Sequence, residues 1–280
     1  MQVTSHYLSC HQRELHYQRW GEDGQPVVIL WHGLARTGRD FDDLAARLIR
    51  DYQLIVPDTL GRGLSQWSPD PLNEYCLEFY VKLATALVDQ LGIQKMRWVG
   101  TSMGGAIGTL AAATTLRGRI THLLLNDNGP ELAEAALQRI RSYAGSPASF
   151  ATVSELEAYF RQVYQPYGWL SDVQWRRLTE SSVRRLPDGR VTPHYDPNMV
   201  MQFTHHDNDY LRWDAYDSLT CKTLVLRGEH SDLLLPDVAQ AMTQRGPRAQ
   251  LITIPGCGHA PALNVPDHYA IVQDFLHGTE

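Results

Sequence analysis

Ser102 lies in the pattern Gly-Thr-Ser-Met-Gly, an arrangement that can turn a serine into a nucleophile. An apolar run at residues 96–99 predicts a buried strand before this pattern, and residues 103–114 predict a helix after it. The tight turn between them leaves no room for side chains at Gly100 and Gly104 and holds the serine in strained backbone. The start of the helix favours developing negative charge. We therefore predict that Ser102 is a nucleophile exposed at the end of a strand.

His259 is the predicted base for this serine. A serine hydroxyl is a poor nucleophile at neutral pH, so a neighbouring group must take its proton as it attacks. His259 directly follows the last predicted strand, in the small-residue loop PGCGHAP at the sheet edge where Ser102 also lies. His32 also follows a predicted strand, but it immediately precedes a glycine-containing loop, and we assign it a structural role in shaping that loop.

A carboxylate must hold the base in its correct tautomer, and three acidic residues are candidates. Asp232, in RGEHSDLL, follows the strand before last and gives the chain order Ser, Asp, His, so it is the predicted acid. Asp127, in LLLNDNGP, follows the strand after Ser102 and stays an alternative, although a turn role is favoured for it. Glu229 is a weaker alternative.

Two backbone N–H groups are predicted to stabilise the oxyanion formed when Ser102 attacks. One belongs to Met103, the residue after the nucleophile, and the other to Leu34, in the loop after the strand that ends at Trp31. Gly33 permits the substrate to approach this loop closely and is therefore a predicted substrate contact.

Apolar runs that predict strands alternate along the chain with patterns that predict helices, and these elements position the candidate residues. Strands are predicted at residues 27–31, 53–56, 96–99, 122–125, 223–228 and 250–254, and two N-terminal segments at residues 3–8 and 14–19 predict an antiparallel pair. Helices are predicted between the later strands, and this alternation is typical of a doubly wound, mostly parallel sheet.

The alternation of strands and helices stops between residues 130 and 219, where helical patterns replace buried strands. We predict an all-helical cap (130–219) over the carboxyl edge of an α/β core formed by residues 1–129 and 220–280. The cap is rich in aromatic residues, most of which are expected to pack its own small core. Trp169 and Trp213 are predicted to contact substrate.

Composition bounds the possible partners. The 280-residue chain has a net charge of −6 and no block of Lys or Arg, so a nucleic-acid partner is not expected. It has no signal-like or membrane-spanning apolar run, and its four scattered cysteines favour free thiols in the cytoplasm.

No metal or other cofactor is expected: His205, His206, Asp207 and Asp209 are closely spaced, but a solvated loop explains them better than a metal site. The oligomeric state stays open.

The motifs together resemble the α/β-hydrolase superfamily, specifically bacterial serine carboxylesterase-like members with a helical cap. The matching segments are WHGLARTGRDF, PDTLGRGLS, GTSMGG, LNDNGP, RGEHSDLL and GCGHAP. The resemblance implies an eight-stranded sheet, Ser102 as nucleophile, His259 as base and Asp232 as acid. It also implies an ester substrate, and some members of this subgroup act on polyesters or their oligomers.

Departures from neighbouring families narrow the activity. Ser102 replaces the aspartate nucleophile of haloalkane dehalogenases and epoxide hydrolases. The C–C hydrolases of ring-cleavage products typically carry a tryptophan shortly after the histidine, whereas Ala260 and Pro261 follow it here. That activity, which uses the same triad, is the second interpretation. A ligand receptor without catalysis is the third.

Overall fold

The computed structural model describes residues 3–206 and 208–278. In this part of the chain ten strands are present: β1 (Val3–Cys10), β2 (Arg13–Trp20), β3 (Val27–Trp31), β4 (Gln53–Pro57), β5 (Met96–Thr101), β6 (Ile120–Asn126), β7 (Val183–Arg185), β8 (Val191–Pro193), β9 (Lys222–Gly228) and β10 (Gln250–Ile254).

Helices connect these strands. They are α1 (Asp42–Leu48), α2 (Pro71–Glu74), α3 (Leu77–Gln90), α4 (Met103–Ala113), α5 (Glu134–Ala144), α6 (Val153–Val163), α7 (Asp172–Glu180), α8 (Met201–Thr204), α9 (Trp213–Asp217), α10 (Pro236–Met242) and α11 (Pro266–His277). Short 3-10 helices span Gly38–Phe41, Gln165–Tyr167 and Pro197–Val200.

Eight strands form one sheet in the order β1-β2-β4-β3-β5-β6-β9-β10. The β1/β2 and β2/β4 pairs are antiparallel and the remaining pairs are parallel. The predicted mostly parallel, eight-stranded α/β sheet is therefore confirmed. Since parallel strands end on the same edge, the loops after β3, β5, β6, β9 and β10 all converge there.

Helices cover both faces of the sheet, as buried parallel strands require. On one face α3 and α4 pack together over side chains such as Trp98 and Leu123. On the other face α1 and α11 pack over Val28 and Leu124, which are fully buried. The continuous apolar runs in the sequence reflect this double coverage.

The segment between β6 and β9 is not all-helical, and this part of the prediction is wrong. The helix predicted over residues 172–185 ends at Glu180, and β7 pairs antiparallel with β8 instead. The connection between these strands contains Pro187, Asp188 and Gly189, and Gly189 has a φ of 86°, which suits a glycine in a turn. Strand β8 contributes Val191 to a local core. The division into a core and a cap at residues 130 and 219 stays a prediction.

None of the helices in residues 3–206 and 208–278 is both long and apolar enough to span a lipid bilayer.

Candidate active site

Ser102 sits at the sharp turn between β5 and α4, in backbone that few serines adopt. Its φ is 52° and its ψ is −118°. A side chain at Gly100 would collide with the backbone of Gly104, and one at Gly104 would collide with the carbonyl of Trp31. The Ser102 N–H donates to the Asn126 carbonyl at 2.9 Å, which ties the turn to the end of β6. The turn therefore needs glycine at both positions because neighbouring backbone occupies the space.

His259 is hydrogen-bonded to Asp127, which directly follows β6. The His259 Nδ1 lies 2.7 Å from the Asp127 Oδ2. The Asp127 carboxylate is fully buried and also accepts hydrogen bonds from the Gly228 N–H at 2.8 Å and the Ser231 hydroxyl at 2.6 Å. Its own N–H donates to the Leu226 carbonyl at 2.7 Å, which continues the β6/β9 ladder. These bonds place the carboxylate where it can orient the imidazole.

Asp232 does not contact His259, and its predicted role is wrong. Its carboxylate instead forms an ion pair with Arg139 on α5, and both side chains are about half exposed. Burial raises the pKa of Asp232. The hydrogen bond and charge of Arg139, together with nearby His259, lower this pKa by a larger amount, so the net shift is downward. The loop after β9 turns so that its Ser231 hydroxyl, not the next carboxylate, faces Asp127.

The two predicted oxyanion donors lie on elements that meet at Ser102. Met103 is the first residue of α4, where N–H groups have no intrahelical acceptor. A side chain at Gly33 would lie 3.6 Å from the Ser102 Cβ, so the loop carrying Leu34 passes directly beside the nucleophile. The buried Arg62 guanidinium donates to the Leu34 carbonyl at 2.8 Å, which fixes the orientation of this loop. Within the described residues, neither the Leu34 nor the Met103 N–H has an acceptor. Their role as oxyanion donors stays a prediction.

His32 holds the same loop in place through its side chain, as its position in the sequence predicted. Its Nδ1 donates to the Gly33 carbonyl at 2.7 Å, and its Nε2 accepts from the Thr59 N–H at 2.9 Å. Burial lowers the pKa of His32 to about 4, more than the charge of nearby Asp58 raises it. The imidazole is therefore neutral at pH 7, which these one-donor, one-acceptor contacts require.

This shifted pKa predicts a pH-dependent stability. An unfolded histidine has a pKa of about 6.5, so between pH 6.5 and pH 4 the unfolded chain binds a proton at His32 that the folded chain does not. The free energy of unfolding should therefore fall with decreasing pH across this window, by about 3 kcal/mol from His32. Urea unfolding of a His32→Gln variant should lack this part of the dependence, because glutamine can make both hydrogen bonds without titrating.

The control for this experiment is His230→Gln, since the His230 side chain is 69% exposed. It should keep the wild-type dependence. A His32→Gln variant that still lost as much stability as the wild type between pH 6.5 and pH 4 would contradict the assignment.

Ser102 and His259 line a common cavity of about 680 Å³, called here the Ser102 cavity. Gly33 lies on its wall, and its contact with substrate stays a prediction. Trp169 and Trp213 were predicted to contact substrate, but neither residue lines this cavity. Trp169 is 69% exposed. Trp213 packs against the core, and its indole N–H donates to the Glu131 carboxylate at 2.8 Å.

The histidine-rich loop near α8 uses its side chains for structural contacts. His206 contacts the Leu72 carbonyl at 2.7 Å, and buried Asp209 accepts the N–H of Leu77 at the start of α3 at 2.8 Å. Asp207 lies outside the described residues. In residues 3–206 and 208–278, no group of three or more His, Cys, Asp or Glu side chains is arranged to hold a metal ion.

The sequence interpretation missed five large side chains that line the cavity. They come from the segment after β6 and from the loop after β3: Arg36, Tyr143, Tyr159, Tyr164 and Tyr167. The recurrence of tyrosine over residues 159–167 was the available signal, but periodicity alone does not separate a cavity wall from a local core.

The chain is similar to known hydrolases over nearly its whole length. A family model described as the alpha/beta hydrolase fold matches residues 26–264. A 3-hydroxybutyrate-oligomer hydrolase from Cupriavidus necator is 36% identical, over 94% of this chain and 92% of that protein. A pimeloyl-[acyl-carrier protein] methyl ester esterase from Xanthomonas campestris is 27% identical, over 88% of this chain and 92% of that protein. The crystal structure of an alpha/beta hydrolase from Novosphingobium aromaticivorans superposes with a TM-score of 0.86 at 33% identity, over 98% of each chain.

Proposed function

Because this chain is an ester-acting member of the α/β hydrolase family, we propose that it is a serine carboxylesterase that works through Ser102, His259 and Asp127. The observation that carries the proposal is the 2.7 Å contact between His259 and the buried Asp127, at a cavity that Ser102 also lines. Asp127 takes the role that the sequence interpretation gave to Asp232.

In the proposed reaction, Ser102 attacks the ester carbonyl while His259 takes the hydroxyl proton through its Nε2. Asp127 holds the proton on Nδ1 and stabilises the imidazolium that forms. The N–H groups of Leu34 and Met103 bind the oxyanion, and such donors contribute about 3–4 kcal/mol each to transition-state stabilisation. His259 then protonates the leaving alcohol, and water attacks the acyl-enzyme to release the acid.

We further propose that the substrates include oligomers of hydroxy acids. The support is the 36% identity, over 94% of this chain, to an enzyme named for 3-hydroxybutyrate oligomers. A cavity of about 680 Å³ is also large enough for more than one acyl unit.

A fluorophosphonate probe and a substrate panel test the proposal. The probe should label Ser102 covalently, as mapped by mass spectrometry of the peptide that contains it. The enzyme should hydrolyse p-nitrophenyl esters and short 3-hydroxybutanoate oligomers faster than a dienoic keto-acid. Labelling without ester hydrolysis, together with cleavage of the keto-acid, would instead support a C–C hydrolase, and the absence of any labelling would support a ligand receptor.

A further inference from the structure

Four tyrosines form one wall of the Ser102 cavity, called here the tyrosine wall: Tyr143, Tyr159, Tyr164 and Tyr167. Tyr143 lies on α5, Tyr159 on α6, and the other two at and just after the end of α6. Tyr164 is central, because its ring lies 4.9 Å from that of Tyr167 and 4.8 Å from the Arg36 guanidinium. Tyr164, Tyr167 and Arg36 therefore form a packed group within the wall.

The hydroxyl groups of the tyrosine wall have no hydrogen-bond partner among the described residues. Some tyrosines elsewhere in the fold do use theirs: Tyr216 donates to the Met242 carbonyl at 2.7 Å, and Tyr269 donates to the Asn264 carbonyl at 2.6 Å. Polar groups that are removed from water are normally paired. A ligand that fills the cavity must therefore supply acceptors to these hydroxyls or leave them unpaired at a cost in binding.

The cavity wall carries no uncompensated guanidinium among the described residues. Buried Arg36 donates two hydrogen bonds to Asp40, and Arg139 is paired with Asp232. Burial, followed by the influence of neighbouring Tyr164, raises the pKa of Tyr167 well above its ordinary range, so this phenol stays neutral. The wall thus offers neutral donors that can pair with carbonyl oxygens, but no free positive charge to offset the burial of a carboxylate. A hydrocarbon chain cannot satisfy these donors.

We propose that the tyrosine wall binds the carbonyl oxygens of ester groups adjacent to the one that Ser102 attacks. It thereby selects neutral oligoesters over hydrocarbon esters of the same length. This inference rests on the proposed ester hydrolysis and assigns its substrate selectivity to named side chains. The chemistry fits because an oligoester presents a carbonyl oxygen in every repeating unit, whereas an alkyl chain presents none.

Two substrates of matched length test the inference: ethyl 3-acetoxybutanoate and ethyl 3-methylhexanoate. The second replaces the acetoxy ester by methylenes. Whichever ester of the first substrate is attacked, its other carbonyl lies along the chain. Acid release in a pH-stat gives kcat/KM for each, and the ratio of the two values measures selectivity for the second carbonyl.

Each wall tyrosine is changed to phenylalanine, which keeps the ring and removes only the hydroxyl. In at least one variant the ratio should fall about two- to tenfold, the effect of one neutral hydrogen bond. Tyr7→Phe is the matched control, since Tyr7 is an exposed residue on β1, and it should leave the ratio unchanged.

An unchanged ratio in all four variants would overturn the inference. This includes the case in which a variant loses kcat/KM equally on both substrates. The proposed function would survive this result, because both substrates would still be esters cleaved through Ser102. Failure of the wild type to hydrolyse either substrate would contradict the proposed function itself.

Discussion

An Asp127→Asn variant is expected to hydrolyse esters with a kcat about 10⁴-fold below that of the wild type. The Gly228 N–H requires an acceptor, so the asparagine oxygen takes the Oδ1 position and its NH₂ faces His259. His259 Nδ1 must then accept, which places the ring proton on Nε2. In that tautomer the imidazole cannot take the proton of Ser102.

Asp232→Asn is the control, and its kcat should stay within about tenfold of wild type. Its ion pair with Arg139 is half exposed, and such pairs contribute about 0–1 kcal/mol. Urea unfolding of both variants separates loss of structure from loss of chemistry, since Asp127 is buried and its change is expected to cost about 1–3 kcal/mol of stability. A greater loss of turnover in Asp232→Asn than in Asp127→Asn would restore the assignment made from the sequence.

A Ser102→Ala variant should lose ester hydrolysis by about 10⁶-fold while keeping its fold. The change removes only the attacking oxygen, and alanine takes the same backbone conformation as serine with a similar strain. Circular dichroism should match the wild type, and the free energy of unfolding should change by less than about 1 kcal/mol.

Hydrolysis of p-nitrophenyl butanoate is the readout for this variant. Ser142→Ala, an exposed serine on α5, is the control and should retain full activity. Wild-type turnover in a folded Ser102→Ala protein would show that another group is the nucleophile.

The core sheet was predictable because its strands are buried on both faces and therefore appear as continuous apolar runs. Residues 27–31 form β3 with the predicted bounds. Strands β7 and β8 were not predictable in this way, because each has only three residues and β7 lies inside a segment, residues 172–185, whose pattern predicts a helix. Short strands depend on their partner and on the local core, neither of which a local pattern records.

The choice between the two aspartates could not be made from the sequence for a related reason. Strands β6 and β9 are neighbours in the sheet, so Asp127 and Asp232 both emerge at the same edge. Which carboxylate reaches His259 depends on loop conformation. Asp127 adopts a φ of 53°, and Ser231 fills the space beside its carboxylate. The chain-order rule favoured Asp232, but hydrogen bonding within the loop after β9 decided the geometry.

The order in which the ribosome makes the chain has a consequence for this site. Ser102 and Asp127 directly follow two neighbouring strands and are only 25 residues apart (127 − 102), whereas His259 follows β10 and lies 132 residues after Asp127 (259 − 127). A growing chain therefore acquires its nucleophile and acid well before its base. Under the proposed mechanism, nascent chains bear no active esterase until β10 has paired with β9, so synthesis itself delays the onset of hydrolysis.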